Sequence, residues 1–334
     1  MARAIFLCDV NGKIEYVYDN AAMEEIEALA ELDRTVYTRE DIVNGQGEFR
    51  DVHFIFSTWG MPVFSEEEIG MYFPELECVF YAAGSVQFFA RPFLNRGVKV
   101  FSGWGANAIP VAEYASAQII LANKGFYQSS RIHSKEDYTR MLSLFPKYKG
   151  NYNTKIGILG AGRVGKLVIE RLKTLNVEIL VYDPFLSDNM AVYLGVEKFS
   201  LDKIFSQCTV ISNHMADKEE TRGILNKALF EMMPPYATFI NTGRGAQVAE
   251  QDLCDVLSSR SDLTAILDVT FPEPPEADSG LYKLDNCILT PHIAGSFGNE
   301  VNRMAMYMAD QLQAHIKGEP CDFEVTLKML ETMA

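Results

Sequence analysis

Basic side chains are scarce: 30 lysines and arginines face 45 aspartates and glutamates, a net charge of −15 over 334 residues. Such a surface repels phosphate backbones and anionic lipid, which argues against nucleic acid and membrane surfaces as partners. It also means that a small anion can be held only where an arginine or a helix N-terminus reverses the field locally. The six thiols, Cys8, Cys78, Cys208, Cys254, Cys287 and Cys321, are dispersed without CxxC spacing and mostly sit in apolar runs, so they are expected to be reduced residues of a cytoplasmic protein. The five histidines, His53, His133, His214, His292 and His315, lack HExxH or Cys/His ligand spacing, so no metal centre is expected. No stretch approaches the roughly 20 apolar residues of a membrane span, and the apolar run near Met1 ends at Asp9. Internal repeats and low-complexity tracts are missing, and the one proline cluster, PEPP at 272–275, reads as a loop.

What is present is alternation. Short apolar runs separated by helix-period segments recur along the chain, the pattern of parallel sheets crossed over by helices. In the first third the runs Ala4–Cys8, Val52–Ser57, Cys78–Ala82 and Val98–Phe101 read as strands, and Ala21–Leu32 as a helix with Met23, Ile26, Leu29 and Ala30 on its inner face. Together they resemble a small doubly wound domain. The pattern turns strongly helical over Val111–Lys124, and a second alternating series begins with KIGILG at 155–160. The break near Trp104–Pro110 is expected to be the first crossing between domains. Asn299–Lys317 reads as a long helix, with Met304, Met308, Leu312 and Ile316 among its apolar positions, that returns the chain to the first domain.

Residues 154–165, TKIGILGAGRVG, place Gly160, Gly162 and Gly165 as GxGxxG directly after an apolar strand and at the opening of a helix over Lys166–Thr174. In that setting Gly160 permits the tight turn, Gly162 lets a pyrophosphate approach the backbone, and Gly165 lets helix and strand pack closely. The next strand, Val177–Tyr182, ends in Asp183, 18 residues after Gly165 and near the spacing at which an acid binds the ribose hydroxyls of adenosine. A carboxylate there repels a 2′-phosphate, and Pro184 and Phe185 follow it rather than an arginine, so the expected cofactor is NAD and not NADP.

Three further apolar strands end in polar segments: ATFINTGRG at 237–245, LTAILDVTFPEP at 263–274 and CILTPHIAG at 287–295. Ligands of an open parallel sheet sit at the carboxyl ends of its strands, so Arg244, Glu273 and His292 become candidates for one site. These segments, with GAGRVG at 160–165, YDP at 182–184 and SNHMADKEETRG at 212–223, resemble in order and spacing the D-isomer-specific 2-hydroxyacid dehydrogenases. The resemblance implies a Rossmann-type doubly wound NAD domain over 105–296, a smaller flavodoxin-like α/β catalytic domain made from 1–104 and 297–334, an active site in the cleft between them, and a homodimer formed largely through NAD-domain helices.

By the same resemblance, Arg244 pairs with the carboxylate of a small 2-keto or 2-hydroxy acid and helps polarise its carbonyl, a task suited to a planar guanidinium that keeps its charge. His292 is the general acid–base, and Glu273 accepts its other ring N–H, fixing the tautomer. The loop YAAGSV at 81–86 offers the amides of Gly84 and Ser85 to the substrate carboxylate, and Trp59, in STWGMP, lines the cleft or serves as core at the domain interface. Arg163, Val164, His214, Thr242, Gly243, Asp268 and Gly295 fall in the segments that line the cofactor. For His214 contact is expected rather than chemistry, and Asp268 is either an acid near the nicotinamide or a buried strand-end aspartate bonding turn amides.

Some positions depart from the family pattern. Ala216 stands where proline is usual, VAE at 248–250 replaces a common VDE, and the substrate loop reads GSVQFF where a glycine-rich stretch ending in aspartate is common. Two other readings share this fold: an NAD(H)-sensing corepressor, and a formate- or phosphite-oxidising relative. The formate enzymes carry glutamine where Glu273 stands.

Overall fold

Strands that are apolar on both faces belong in parallel sheets covered by helices on each side, and the first sheet shows this residue by residue. The computed structural model describes residues 1–331 apart from 46 and 131. Its contacts divide into two units, one made of Met1–Asn107 with the segment from Ser296 onward, the other of Ala108–Gly295. The first unit contains Arg3–Leu7 (β1), Glu31–Tyr37 (β2), Val52–Ser57 (β3), Cys78–Tyr81 (β4) and Lys99–Ser102 (β5). Side chains alternate across it: Ala4, Phe6, Phe54, Phe56, Cys78 and Phe80 enter one core, while Ile5, Leu7, Ile55, Val79 and Tyr81 enter another on the opposite face. Each fully buried phenylalanine contributes roughly 2 kcal/mol by leaving water, so the ring column Phe56, Phe80 and Phe101 is a main tie between β3, β4 and β5.

The sheet order is Glu324–Val325, β5, β4, β3, β1, β2, parallel except for Glu324–Val325, which runs antiparallel to β5. Strand order reverses between β1 and β3, the switch point of a flavodoxin-like sheet. The helix Glu300–Lys317 lays Val301, Met304, Ala305, Met308 and Leu312 on the core that holds Phe6 and Phe56, and this joins the C-terminal segment to the first unit.

In the second unit Tyr152–Leu159 (β6), Asn176–Tyr182 (β7), Glu197–Lys198 (β8), Val210–Asn213 (β9), Thr238–Asn241 (β10), Thr264–Leu267 (β11) and Cys287–Leu289 (β12) form one all-parallel sheet in the order β12, β11, β10, β9, β6, β7, β8. Its switch point lies between β6 and β9, where a Rossmann-type sheet opens its crevice.

Three local expectations need correction. The helix expected over Ala21–Leu32 stops at Glu27, and Glu31–Tyr37 pairs as the edge strand β2. Because one side of an edge strand faces solvent, Glu31, Asp33 and Arg34 mask its alternation. The helix expected from Val111 begins at Trp104 and runs unbroken to Asn123 with Pro110 inside it, since a proline removes one helical hydrogen bond without necessarily ending the helix, and the two units divide within it, between Asn107 and Ala108. Ile316 faces solvent at 47% exposure instead of joining the core.

Candidate active site

The register of the second sheet decides which residues share an edge. Tyr182 is opposite Leu159, Leu159 opposite Asn213, Asn213 opposite Asn241, Asn241 opposite Leu267, and Leu267 opposite Leu289. The residues that follow these strand ends, Asp183, Gly160, His214, Thr242, Asp268 and Thr290, therefore stand in one row along the carboxyl edge. Every motif singled out in the second half of the sequence opens from this row.

At its centre the fingerprint folds as its glycines require. Gly160 turns with φ +88°, and a Cβ on Gly165 would collide with the Gly160 carbonyl, so the helix Arg163–Leu172 sits directly against the turn. Gly162 caps that helix without a side chain, and the space where its Cβ would lie is open. Other helices here, such as those opening at Ser187 and Ser200, have a hydroxyl on their first-turn amides. This one leaves those amides to a ligand, and its dipole favours an anion there. Arg163 is exposed at the first helical position, with Val164 half-buried behind it. Asp183 accepts the Ala161 N–H (2.7 Å) and the Phe185 N–H (2.7 Å), so the acid is fixed on the glycine turn. An open cradle, uncapped amides and an acid one strand away fit a dinucleotide.

The two histidines on this edge differ in kind. His214 has both ring nitrogens occupied, Nε2 with Ser212 Oγ (3.0 Å) and Nδ1 with Thr242 Oγ1 (3.1 Å), and burial pushes its pKa down to about 3. It is a neutral residue with no free ring nitrogen. His292 is half exposed, and its Nδ1 lies 2.7 Å from Glu273 Oε1, while no described residue engages Nε2. His292 also holds φ at +54°, rare for a side-chain-bearing residue, and its N–H is shared between the carbonyls of Asp268 and Thr290 at 3.0 Å. Asp268 enforces this turn. Its carboxylate accepts Thr290 Oγ1–H (2.6 Å) and the N–H groups of Ile293 and Ala294 (both 2.9 Å), just ahead of Gly295. Of the two readings open for Asp268, bonding to turn amides is the one the geometry displays.

Arg244 lies between two glycines for a steric reason. A Cβ on Gly245 would overlap the backbone of Thr270, and one on Gly243 would come within 3.0 Å of Asn213 Nδ2. The guanidinium donates from Nη1 to the Gly243 carbonyl (2.9 Å), and no carboxylate pairs with it among the described residues. An unpaired guanidinium on so acidic a protein is the local positive device that a small anion needs. Sequence reasoning missed the residues beneath it. Asn213, Asn241 and Gln247 are fully buried and bonded to one another, and Tyr114 supports Thr290 through a 3.1 Å hydroxyl contact. Only INTGRG and SNHMAD hinted at them, as asparagines placed where strands end.

In the first unit the loops after β1, β3 and β4 also share a carboxyl edge. Thr58 Oγ1 donates to the Ala82 carbonyl (2.9 Å), and Ser102 Oγ donates to the Gly84 carbonyl (2.7 Å), which fixes the turn carrying Gly84 and Ser85. Trp59 is half-buried against both cores of this unit, with the Lys13 ammonium 5.9 Å from its ring centre. Among the described residues no three His, Cys, Asp or Glu side chains gather as a metal site, and no helix is long and apolar enough to cross a membrane.

A doubly wound parallel sheet with an uncapped glycine turn at its switch point and an acid at the end of the next strand defines a dinucleotide-binding α/β protein. Residues 117–294, more than half of the chain, match the family model described as D-isomer specific 2-hydroxyacid dehydrogenase, NAD binding domain, and the chain belongs to that family. D-3-phosphoglycerate dehydrogenase of Archaeoglobus fulgidus is 33% identical over 237 residues, covering 71% of this chain and 44% of that one. The protein of the same name from Mycobacterium bovis is 30% identical over 224 residues, covering 67% and 42%. The chain thus spans less than half the length of these relatives. The apo structure of D-mandelate dehydrogenase from Rhodotorula graminis shares the fold, with a TM-score of 0.81 at 19% identity over 97% of this chain and 98% of that one.

Proposed function

We propose that the protein is an NAD-dependent dehydrogenase that interconverts a small 2-keto acid and its D-2-hydroxy acid. The observation that carries this reading is the His292–Glu273 pair at 2.7 Å, opening from the same edge as the unpaired Arg244 guanidinium and the dinucleotide turn. NAD, when bound, supplies or takes up the hydride. Arg244 receives the substrate carboxylate and draws electron density from the neighbouring carbonyl. With Glu273 accepting the Nδ1 hydrogen, Nε2 of His292 is the atom that gives a proton to the keto oxygen and takes it back in the oxidising direction. Gly160, Gly162, Arg163, Val164 and Gly165 hold the pyrophosphate, and Asp183 takes the adenosine ribose. His214, Thr242, Gly243 and Gly295 line the remainder of the cofactor, and Asp268 holds the turn that carries His292.

The same proposal includes a cytoplasmic homodimer. Five of the six cysteines are buried free thiols, which suits a reducing compartment. On the second unit Leu121, Phe126, Tyr138, Leu142 and Phe145 expose apolar side chains that a partner subunit would cover. Initial rates of NADH oxidation with glyoxylate, hydroxypyruvate, pyruvate and bulkier keto acids test the reading. Turnover with at least one acid is expected, at higher catalytic efficiency with NADH than with NADPH. Tight NADH binding with silence across the panel would point to a sensor in place of an enzyme, and equal efficiency with NADPH would overturn the role given to Asp183.

A further inference from the structure

Three uncharged side-chain amides lie beneath the row of strand ends: Asn213 closes β9, Asn241 closes β10, and Gln247 ends the 3₁₀ turn Gly245–Gln247, all fully buried. Asn213 Nδ2 donates to Asn241 Oδ1 (2.9 Å) and to Gln247 Oε1 (2.6 Å), and Asn213 Oδ1 accepts the Met215 N–H (3.2 Å). Asn241 Oδ1 also accepts the Gly243 N–H (3.1 Å), while its Nδ2 donates to the Arg244 carbonyl (3.2 Å). Gln247 Nε2 donates to the carbonyls of Met215 (3.1 Å) and Ala216 (2.8 Å). Backbone groups settle the orientation of each amide, because an N–H of Gly243 requires an oxygen opposite it and the carbonyls of Met215 and Ala216 require a nitrogen.

Burying amides is unfavourable unless they are hydrogen-bonded, and apolar side chains would fill strand ends without that cost. What the amides do that apolar groups could not is grip backbone. Asn241 holds both sides of Arg244, through the Gly243 N–H and the Arg244 carbonyl. Asn213 holds Asn241, and Gln247 holds Asn213 while anchoring to the loop after His214. Resting on the reading that Arg244 receives the substrate carboxylate, we infer that Gln247 and Asn213 are positioning residues for Arg244. They act through Asn241 and never touch substrate.

Gln247→Met keeps length and burial but removes both the acceptor and the donor, leaving the amide of Asn213 short of a partner. It raises KM for the keto acid about tenfold, the scale of one misaligned charge-assisted hydrogen bond, and lowers kcat with it, because Arg244 also meets the charge that develops on the keto oxygen. It also lowers Tm. The double variant Asn213→Leu with Gln247→Met removes the stranded amide, so Tm recovers in part while the keto-acid KM stays raised, because no side chain then bonds Asn241. A purely structural role would make KM follow Tm. The inference is therefore overturned if KM is unmoved in the single variant or returns to normal in the double. A wild-type enzyme silent on every keto acid would overturn the functional reading and this inference with it, whereas an active wild type with an unaffected Gln247→Met overturns the inference alone.

Discussion

Replacing His292 by alanine is expected to lower kcat by about 10²- to 10⁴-fold, the range for loss of a positioned general acid, while NADH binding stays at the wild-type level. The separation follows from geometry. His292 belongs to the loop after β12, bonded to Glu273 and held by Asp268, whereas the dinucleotide turn belongs to β6 and its helix. Nothing in the Gly160–Gly165 turn depends on the imidazole. His214 cannot substitute, because both of its nitrogens are engaged and burial keeps it neutral down to about pH 3. Stopped-flow or steady-state turnover together with an NADH fluorescence titration measures both quantities, and near-native turnover in the variant would remove His292 from the chemistry.

Arg244→Lys keeps the charge and loses the fork. An ammonium is a point donor on a flexible stem, so it cannot pair with a carboxylate through two parallel bonds and still direct a hydrogen toward the adjacent carbonyl. The loss falls on interactions that strengthen as charge develops on the keto oxygen, so both kcat and KM suffer. The expected fall in kcat/KM is on the order of a hundredfold, from one or two charge-assisted hydrogen bonds. Folding should be unaffected, because Arg244 forms no ion pair among the described residues and its side chain contributes one bond, to the adjacent Gly243 carbonyl. Unchanged kcat/KM in the lysine variant would show that the carboxylate lies elsewhere.

Much of this arrangement was legible in the residues. Short continuous apolar runs gave most of the central strands because both faces of those strands are buried, and GAGRVG followed by Asp183 gave the dinucleotide turn because Gly160 and Gly165 answer steric demands there while Gly162 leaves open space beside the helix start. Edge strand β2 escaped because solvent accepts its charged residues. The start at Trp104 of the helix that runs to Asn123 escaped because Gly105 and Pro110 interrupt the helical pattern ahead of Val111. The amides of Asn213, Asn241 and Gln247 escaped for a different reason. Their partners lie 28 and 34 positions apart in sequence and are joined only by strand register, which periodicity does not report. His292 and Glu273 were placed together by their positions after strand ends, but their roles came only through resemblance, since a loop histidine and a proline-flanked acid have no spacing signature of their own.

Hydride that reaches carbon 2 of a keto acid while His292 protonates its oxygen leaves its mark on the product. That mark is read by NMR and chiral chromatography after turnover of NADH deuterated at the transferable C4 position with the best acid of the panel. The expected result is a D-2-hydroxy acid with deuterium at C2. Oxidation of the cofactor without label at C2, or a product of L configuration, would contradict it.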